Sequence, residues 1–144
     1  MDITASDNDG DSAADGIGGG LSAEDFVKKC EIQMSHAWMV RTFVKHSEEA
    51  EDAVELMALP RLIFDLSMAL ESRTGDPAAY HKMLSKKLGK LRKASEQFAA
   101  DAPAVSTHTN FQMAAASAAA VVAELDRLRS AWSPALPPRS RVET

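Results

Sequence analysis

Residues 76–98 read DPAAYHKMLSKKLGKLRKASEQF, and this stretch decides the fold class. Asp76 followed by Pro77 is typical of a helix start, because an aspartate caps first-turn amides and proline fits the first helical position. Large apolar side chains then recur three or four residues apart, as one face of an amphipathic helix requires. These side chains are Tyr80, Leu84, Leu88, Leu91 and Phe98. The stretch therefore predicts a long amphipathic α-helix.

Three further segments show the same apolar spacing. The first begins at Ser22, whose hydroxyl can accept from the amide of Asp25, and it runs to about Lys45. The second is interrupted by Pro60, which either kinks one long helix or is the first residue of a shorter one. The last follows a link at residues 101–109 and is rich in alanine, which permits close helix packing. The apolar stripes of the second and last segments are Leu56, Leu59, Ile63, Leu66 and Leu70, and Phe111, Ala114, Ala118, Val121, Leu125, Leu128 and Trp132.

Four helices joined by short links predict an all-α, up-down-up-down four-helix bundle over residues 21–133. No sustained alternation of apolar and polar residues indicates a strand. Residues 1–20 hold five Asp and five Gly, and residues 134–144 hold three Pro. Such segments bury too little apolar surface to offset the entropy of ordering, so we predict disordered tails at both ends.

Charge and cysteine content set broad limits on the class of protein. The chain has 16 basic and 21 acidic side chains, and five of the acids are the Asp residues of the first 20 positions. The remainder is therefore balanced and does not favour nucleic acid as a partner. The start lacks a signal-peptide pattern, and the apolar run 113–123 is shorter than the roughly 20 residues that span a bilayer. Cys30, the single cysteine, lies on an apolar stripe. From these features together we expect a cytoplasmic protein without a membrane span.

Four histidines are candidates for a metal or acid-base site. In an up-down bundle His46 and His108 share one end, His81 lies near the other, and we expect His36 to be buried and hydrogen-bonded. The chain contains neither Glu-x-x-His nor His-x-His. We therefore predict no cofactor. A metal-binding or hydrolytic bundle that uses His46 and His108 remains the alternative, with helping carboxylates from Glu48, Glu49 or Asp101.

A second alternative uses His81, because histidine phosphotransfer domains are four-helix bundles with an exposed phosphoryl-accepting histidine. In YHKMLSKKLG the positions three and four after His81 are Leu84 and Ser85, where that family has lysine and glycine. This function ranks below the metal site, because similarity of fold does not establish function.

Two surfaces are candidates for partner binding. A basic stripe along the third helix is either a solvated helix face or a binding site for an acidic partner, for nucleic acid or for the Asp-rich N-terminal tail of this chain. Because it lacks interleaved aromatic residues, we favour a protein over nucleic acid. The stripe consists of Lys82, Lys86, Lys90 and Lys93. On the second helix Met57, Phe64 and Met68 widen the apolar arc beyond the core seam. This pattern indicates either core residues or contact with a tail or with a second chain, which includes a homodimer. The leading prediction is a non-enzymatic protein that binds another protein or a second copy of itself.

Arg41 lies inside the main apolar stripe of the first helix. A buried guanidinium needs a partner. Antiparallel pairing of the first two helices brings Glu55 opposite, so we predict a structural ion pair between Arg41 and Glu55.

Three stretches resemble short uncharacterised bacterial helical proteins, some of which carry an amidohydrolase label. They are SHAWMVRTFVKHSEE at 35–49, FDLSMALE at 64–71 and HTNFQMA at 108–114, and the resemblance covers roughly residues 25–130. The label implies a metal-dependent barrel with His-x-His ligands. This chain lacks that motif and is shorter than an eight-stranded barrel requires. The resemblance implies no particular functional residues.

Overall fold

A computed structural model describes residues 20–135, in which the chain forms four α-helices and one short 3-10 helix. The α-helices are α1 (Ala23–Lys45), α2 (Ala58–Glu71), α3 (Pro77–Val105) and α4 (Thr109–Ala131), and the 3-10 helix Val54–Met57 precedes α2. Each helix packs against its neighbour in sequence, and α4 returns to α1. The predicted all-α, up-down-up-down bundle is confirmed. The predicted tails lie outside the described residues, apart from the few residues next to the bundle.

Two helix starts are capped as the sequence predicts. The Ser22 hydroxyl accepts from the amide of Asp25 at 3.0 Å, and the Asp76 carboxylate accepts from the amide of Ala79 at 3.1 Å. Pro77 occupies the first turn of α3. Capping satisfies amides that have no partner inside the helix, so these residues fix where α1 and α3 begin.

The second apolar segment is split, and the break precedes Pro60. The chain turns through the 3-10 helix and enters α2 at Ala58, so Pro60 is the third residue of α2 and is buried. First-turn amides have no acceptor inside the helix, so a proline there removes no helical hydrogen bond. Leu56 stays fully buried, which keeps the 3-10 helix attached to the core.

Helix α3 is longer than its apolar stripe predicts. It continues through Pro103 to Val105, so the link predicted at 101–109 shrinks to residues 106–108. Ala102 is buried beyond Phe98 and extends the core-facing stripe by one turn. Pro103 lies in the last turn of the helix, where the loss of one amide donor does not prevent the helix from continuing for two more residues.

One core runs through the bundle and contains Cys30. This thiol is fully buried, and its pKa is raised to about 12 by burial first and by nearby Glu124 and Glu31 second. A thiol that stays protonated is unreactive, so Cys30 acts as a small apolar side chain, as predicted. No helix within residues 20–135 has the length and hydropathy needed to cross a membrane.

Candidate interaction surfaces on either side of α1

A groove between α1 and α2 encloses about 280 Å³ and combines positive charge with an apolar floor. Its lining consists of Arg41, Lys45 and Arg61 together with Met57, Pro60 and Phe64, and we call it the cationic groove. Among the ion pairs within residues 20–135, none involves any of these three cations. The groove therefore presents positive charge that no described carboxylate neutralises.

Helical spacing explains why these side chains meet. Trp38, Arg41 and Lys45 follow one another at intervals of three and four residues, so they share one face of α1. Met57, Arg61 and Phe64 repeat this spacing at the start of α2. Because α1 and α2 are antiparallel neighbours, the two faces oppose each other. Sequence reasoning did not select Lys45 or Arg61, although this shared spacing was a signal that could have found them.

Arg41 packs on aromatic rings rather than against Glu55. Its guanidinium carbon lies 4.2 Å from the ring centroid of Trp38 and 5.3 Å from that of Phe64, distances typical of cation–π contacts. Glu55 is exposed, and the predicted Arg41–Glu55 ion pair is absent from the ion pairs between described residues. Glu55 lies in the 3-10 helix and not in α2, and the rings of Trp38 and Phe64 already stabilise the cation without a desolvated carboxylate.

The structure separates the three apolar residues singled out on the second helix. Met57 is half-buried, and Phe64 leaves 41% of its surface exposed; both line the cationic groove. Met68 is 42% exposed and lies one turn further along α2, outside the groove lining. Met57 and Phe64 therefore contribute to the cationic groove, whereas Met68 does not.

A second groove, between α1 and α4, encloses about 450 Å³ and contains no lysine, arginine, aspartate or glutamate. We call it the neutral groove. Its walls come from α1 between Gln33 and Phe43 and from α4 between Asn110 and Val121. Met39 and Met113 also line it and leave 66% and 55% of their surfaces exposed. Sequence reasoning missed this surface. The signal that could have found it is a second apolar arc on α1, formed by Ile32, Met39, Val40 and Phe43.

His36 is exposed and lines the neutral groove, so the prediction of a buried His36 is wrong. The prediction rested on the position of His36 inside the first helix among apolar residues that include Ile32 and Met39. Both are themselves exposed, at 55% and 66%. This part of α1 therefore faces outward and not into the core.

His46 and His108 line one cavity of about 400 Å³ at the end of the bundle, together with Glu49. The predicted proximity of the two histidines is therefore correct. Of the carboxylates named with them, Glu48 and Asp101 are not part of this lining, and Asp101 accepts hydrogen bonds from Gln97. Within residues 20–135 no group of three or more His, Cys, Asp or Glu side chains is arranged to hold a metal ion.

His108 has a structural role at this end of the bundle. Its Nδ1 atom accepts from the amide of Asn110 at 3.1 Å and so caps the first turn of α4. A cap of this kind satisfies an amide that the helix itself cannot pair. The same lone pair is then not available to a metal ion.

His81 ties the start of α3 to the end of α4. Its Nε2 atom donates to the carbonyl oxygen of Arg129 at 2.9 Å, and the ring packs against Phe26 and Trp132 at centroid distances of 5.5 and 5.7 Å. The imidazole is half-buried in this aromatic cluster. Its position contrasts with the freely exposed imidazole that a phosphotransfer reaction requires.

The four lysines of the basic stripe are all exposed on α3. These are Lys82, Lys86, Lys90 and Lys93. The neighbouring Asp126 of α4 pairs with Arg92 at 3.4 Å instead, and a hydrogen bond from Arg129 is the main cause of its lowered pKa. The basic stripe lies on the exposed face of one helix. The cationic groove lies between two helices and has an apolar floor.

No family model matches this chain, and no curated protein or solved structure matches it either.

Proposed function

We propose that this protein is a non-enzymatic interaction module that binds an acidic segment of another protein in the cationic groove. The observation that carries this function is the set of three cations that surround an apolar floor without a described carboxylate partner. Arg41, Lys45 and Arg61 supply the charge. A cytoplasmic location is part of this proposal, and the single free thiol Cys30 is compatible with it.

The groove specifies the chemistry of its occupant. Carboxylates pair well with guanidinium groups, which bind them in a two-pronged geometry. An aliphatic or aromatic side chain fits the floor formed by Met57, Pro60 and Phe64. An amphipathic helix with apolar anchors every three or four residues and acids between them offers both features, and helix-in-groove recognition is a recurrent mode of binding.

Arg41 is held in place before any partner arrives. Its contacts with Trp38 and Phe64 restrict the side chain, so less rotamer entropy is lost when a carboxylate binds. A second copy of this chain is a poor occupant, because pairing two cationic grooves brings like charges together. The charge pattern therefore favours a foreign acidic partner over self-association at this site.

The test uses a fluorescein-labelled 14-residue peptide in which glutamates separate leucines at helical spacing. Fluorescence anisotropy with the full chain at low salt measures its affinity. We expect Arg61→Glu to weaken binding at least about tenfold, the effect of a lost charge-assisted hydrogen bond plus a new repulsion. Lys86→Glu is the matched control, because it makes the same change of charge on the exposed face of α3.

Three results would overturn this function. They are no binding by the wild-type chain, an equal loss in Arg61→Glu and Lys86→Glu, and full affinity for a peptide with serines in place of the leucines. The second would indicate attraction to overall charge or to the lysine stripe. The third would show that the apolar floor contributes nothing to the affinity for the peptide.

A further inference from the structure

The basic stripe on α3 is a charged surface separate from the cationic groove. All four of its lysines are exposed, and residues 77–95 contain no acidic side chain. No ion pair between residues 20 and 135 involves a lysine of the stripe. We infer that the stripe binds the Asp-rich segment at residues 7–15 of the same chain, which lies outside the described residues. This inference goes beyond the proposed function and does not depend on it.

The acidic residues of this segment follow a pattern that a straight row of lysines can match. Asp7, Asp9, Asp11 and Asp15 all occupy odd positions, and residues 1–20 contain no lysine or arginine. Side chains alternate between the two sides of an extended chain. All four carboxylates therefore fall on one side when the segment is extended along α3.

The two rows of charge have nearly the same spacing. The first three lysines of the stripe recur every four residues, which corresponds to about 6 Å along a helix. The first three aspartates of the segment recur every two residues, which corresponds to about 6.6 Å along an extended chain. The mismatch over three pairs is about 1 Å, which the flexible stem of a lysine accommodates.

Gly89 lies on the same exposed face of α3, between Lys86 and Lys90. A glycine inside a helix lowers helix stability relative to alanine. Within the bundle nothing requires it, because a Cβ atom placed there would meet no other atom within 4 Å. The missing side chain leaves the helix backbone open to the close approach of an extended chain beside the lysines.

The chain enters α1 at the end of the bundle where the stripe begins. Phe26 in the first turn of α1 packs against His81 near the start of α3, with ring centroids 5.5 Å apart. Ala23 follows Asp11 by twelve residues. An extended chain of that length spans about 40 Å, which exceeds the roughly 20 to 24 Å across two packed helices. The covalent tether gives a high effective concentration, so ion pairs that are individually weak on an exposed surface suffice to hold the segment.

Paramagnetic NMR with the full chain tests this inference. Ser12→Cys carries a nitroxide label on the side of the extended segment opposite the aspartates, and Cys30 escapes labelling because it is fully buried. We expect the label to broaden the amide signals of α3 around Lys86, because a nitroxide acts only at short range. Lys86→Glu combined with Lys90→Glu should abolish this broadening, since two attractions become repulsions.

The matched control makes the same change of charge in the cationic groove. Lys45→Glu combined with Arg61→Glu should retain the broadening of α3. Circular dichroism should show unchanged helix content in the α3 variant, because both substituted lysines are exposed.

A rearranged segment tests the alternation of the carboxylates at constant composition and charge. The variant moves two of the four carboxylates to the opposite side of the extended chain, so we expect weaker broadening of α3 than in the wild-type sequence. It combines Asn8→Asp, Asp9→Asn, Gly10→Asp and Asp11→Gly. Unchanged broadening in this variant would overturn recognition by carboxylates on one side.

Three further results would overturn the inference. The first is a wild-type sequence in which the label leaves the α3 signals sharp. The second is broadening of α3 that survives in the variant with both lysines of α3 reversed. The third is broadening of an isotope-enriched, unlabelled chain by a labelled chain in a mixture, which would assign the contact to a second copy.

Discussion

The two grooves beside α1 are built from the same helix and have opposite chemistry. Toward α2, Arg41 and Lys45 stand over aromatic and aliphatic side chains, whereas toward α4, Gln33 and Met39 belong to a lining without charge. The residues of the two faces alternate along α1 and are separated only by rotation about the helix axis. The placement of Arg41, Lys45 and Arg61 therefore decides which side of α1 carries positive charge and can attract an acidic partner.

Salt should distinguish the cationic groove from the neutral groove most strongly. Raising sodium chloride from 50 to 500 mM should weaken binding of the acidic peptide at least about tenfold, because exposed charges are screened over a few ångströms at high ionic strength. Fluorescence anisotropy of the peptide at both salt concentrations measures the affinity. An affinity that is unchanged at the higher salt concentration would contradict recognition by the charges of the cationic groove.

The stability of the bundle end beside the neutral groove should depend on the helix cap that His108 provides. His108→Ala should lower the free energy of unfolding by about 1 kcal/mol, because the amide of Asn110 loses its acceptor. His108→Asn should retain most of the stability, since asparagine is a good cap. Urea denaturation compares the three proteins. A metal role for His46 and His108 would instead appear as a loss of wild-type stability in a chelator, which the cap does not predict.

The cation–π contacts of the cationic groove should contribute less to the free energy of unfolding than the His108 cap does. A double-mutant cycle that combines Arg41→Ala with Trp38→Leu should give a coupling free energy of about 0.5 to 1 kcal/mol. The matched cycle with Glu55→Ala should give a coupling near zero, because that side chain is exposed and does not pair with Arg41. Urea denaturation of the single and double variants supplies both values. The opposite ranking would restore the ion pair predicted from the sequence.

The sequence by itself determined the four α-helices, the caps of α1 and α3, and the core-facing stripes. Ser22 and Asp76 act on amides three residues away, and the stripe from Tyr80 to Phe98 follows from the helical period. Both are local properties of the chain. The shared end of His46 and His108 also followed, because short links leave antiparallel packing as the simple arrangement.

Only the tertiary structure decided which side of an apolar helix is covered. His36 and Met39 belong to an arc that helical spacing alone cannot distinguish from core, and both are exposed. Arg41 packs on the rings of Trp38 and Phe64, and Glu55 lies in a 3-10 helix before Pro60. Burial and pairing depend on what the neighbouring helix presents at each level, and helical periodicity contains no information about that neighbour.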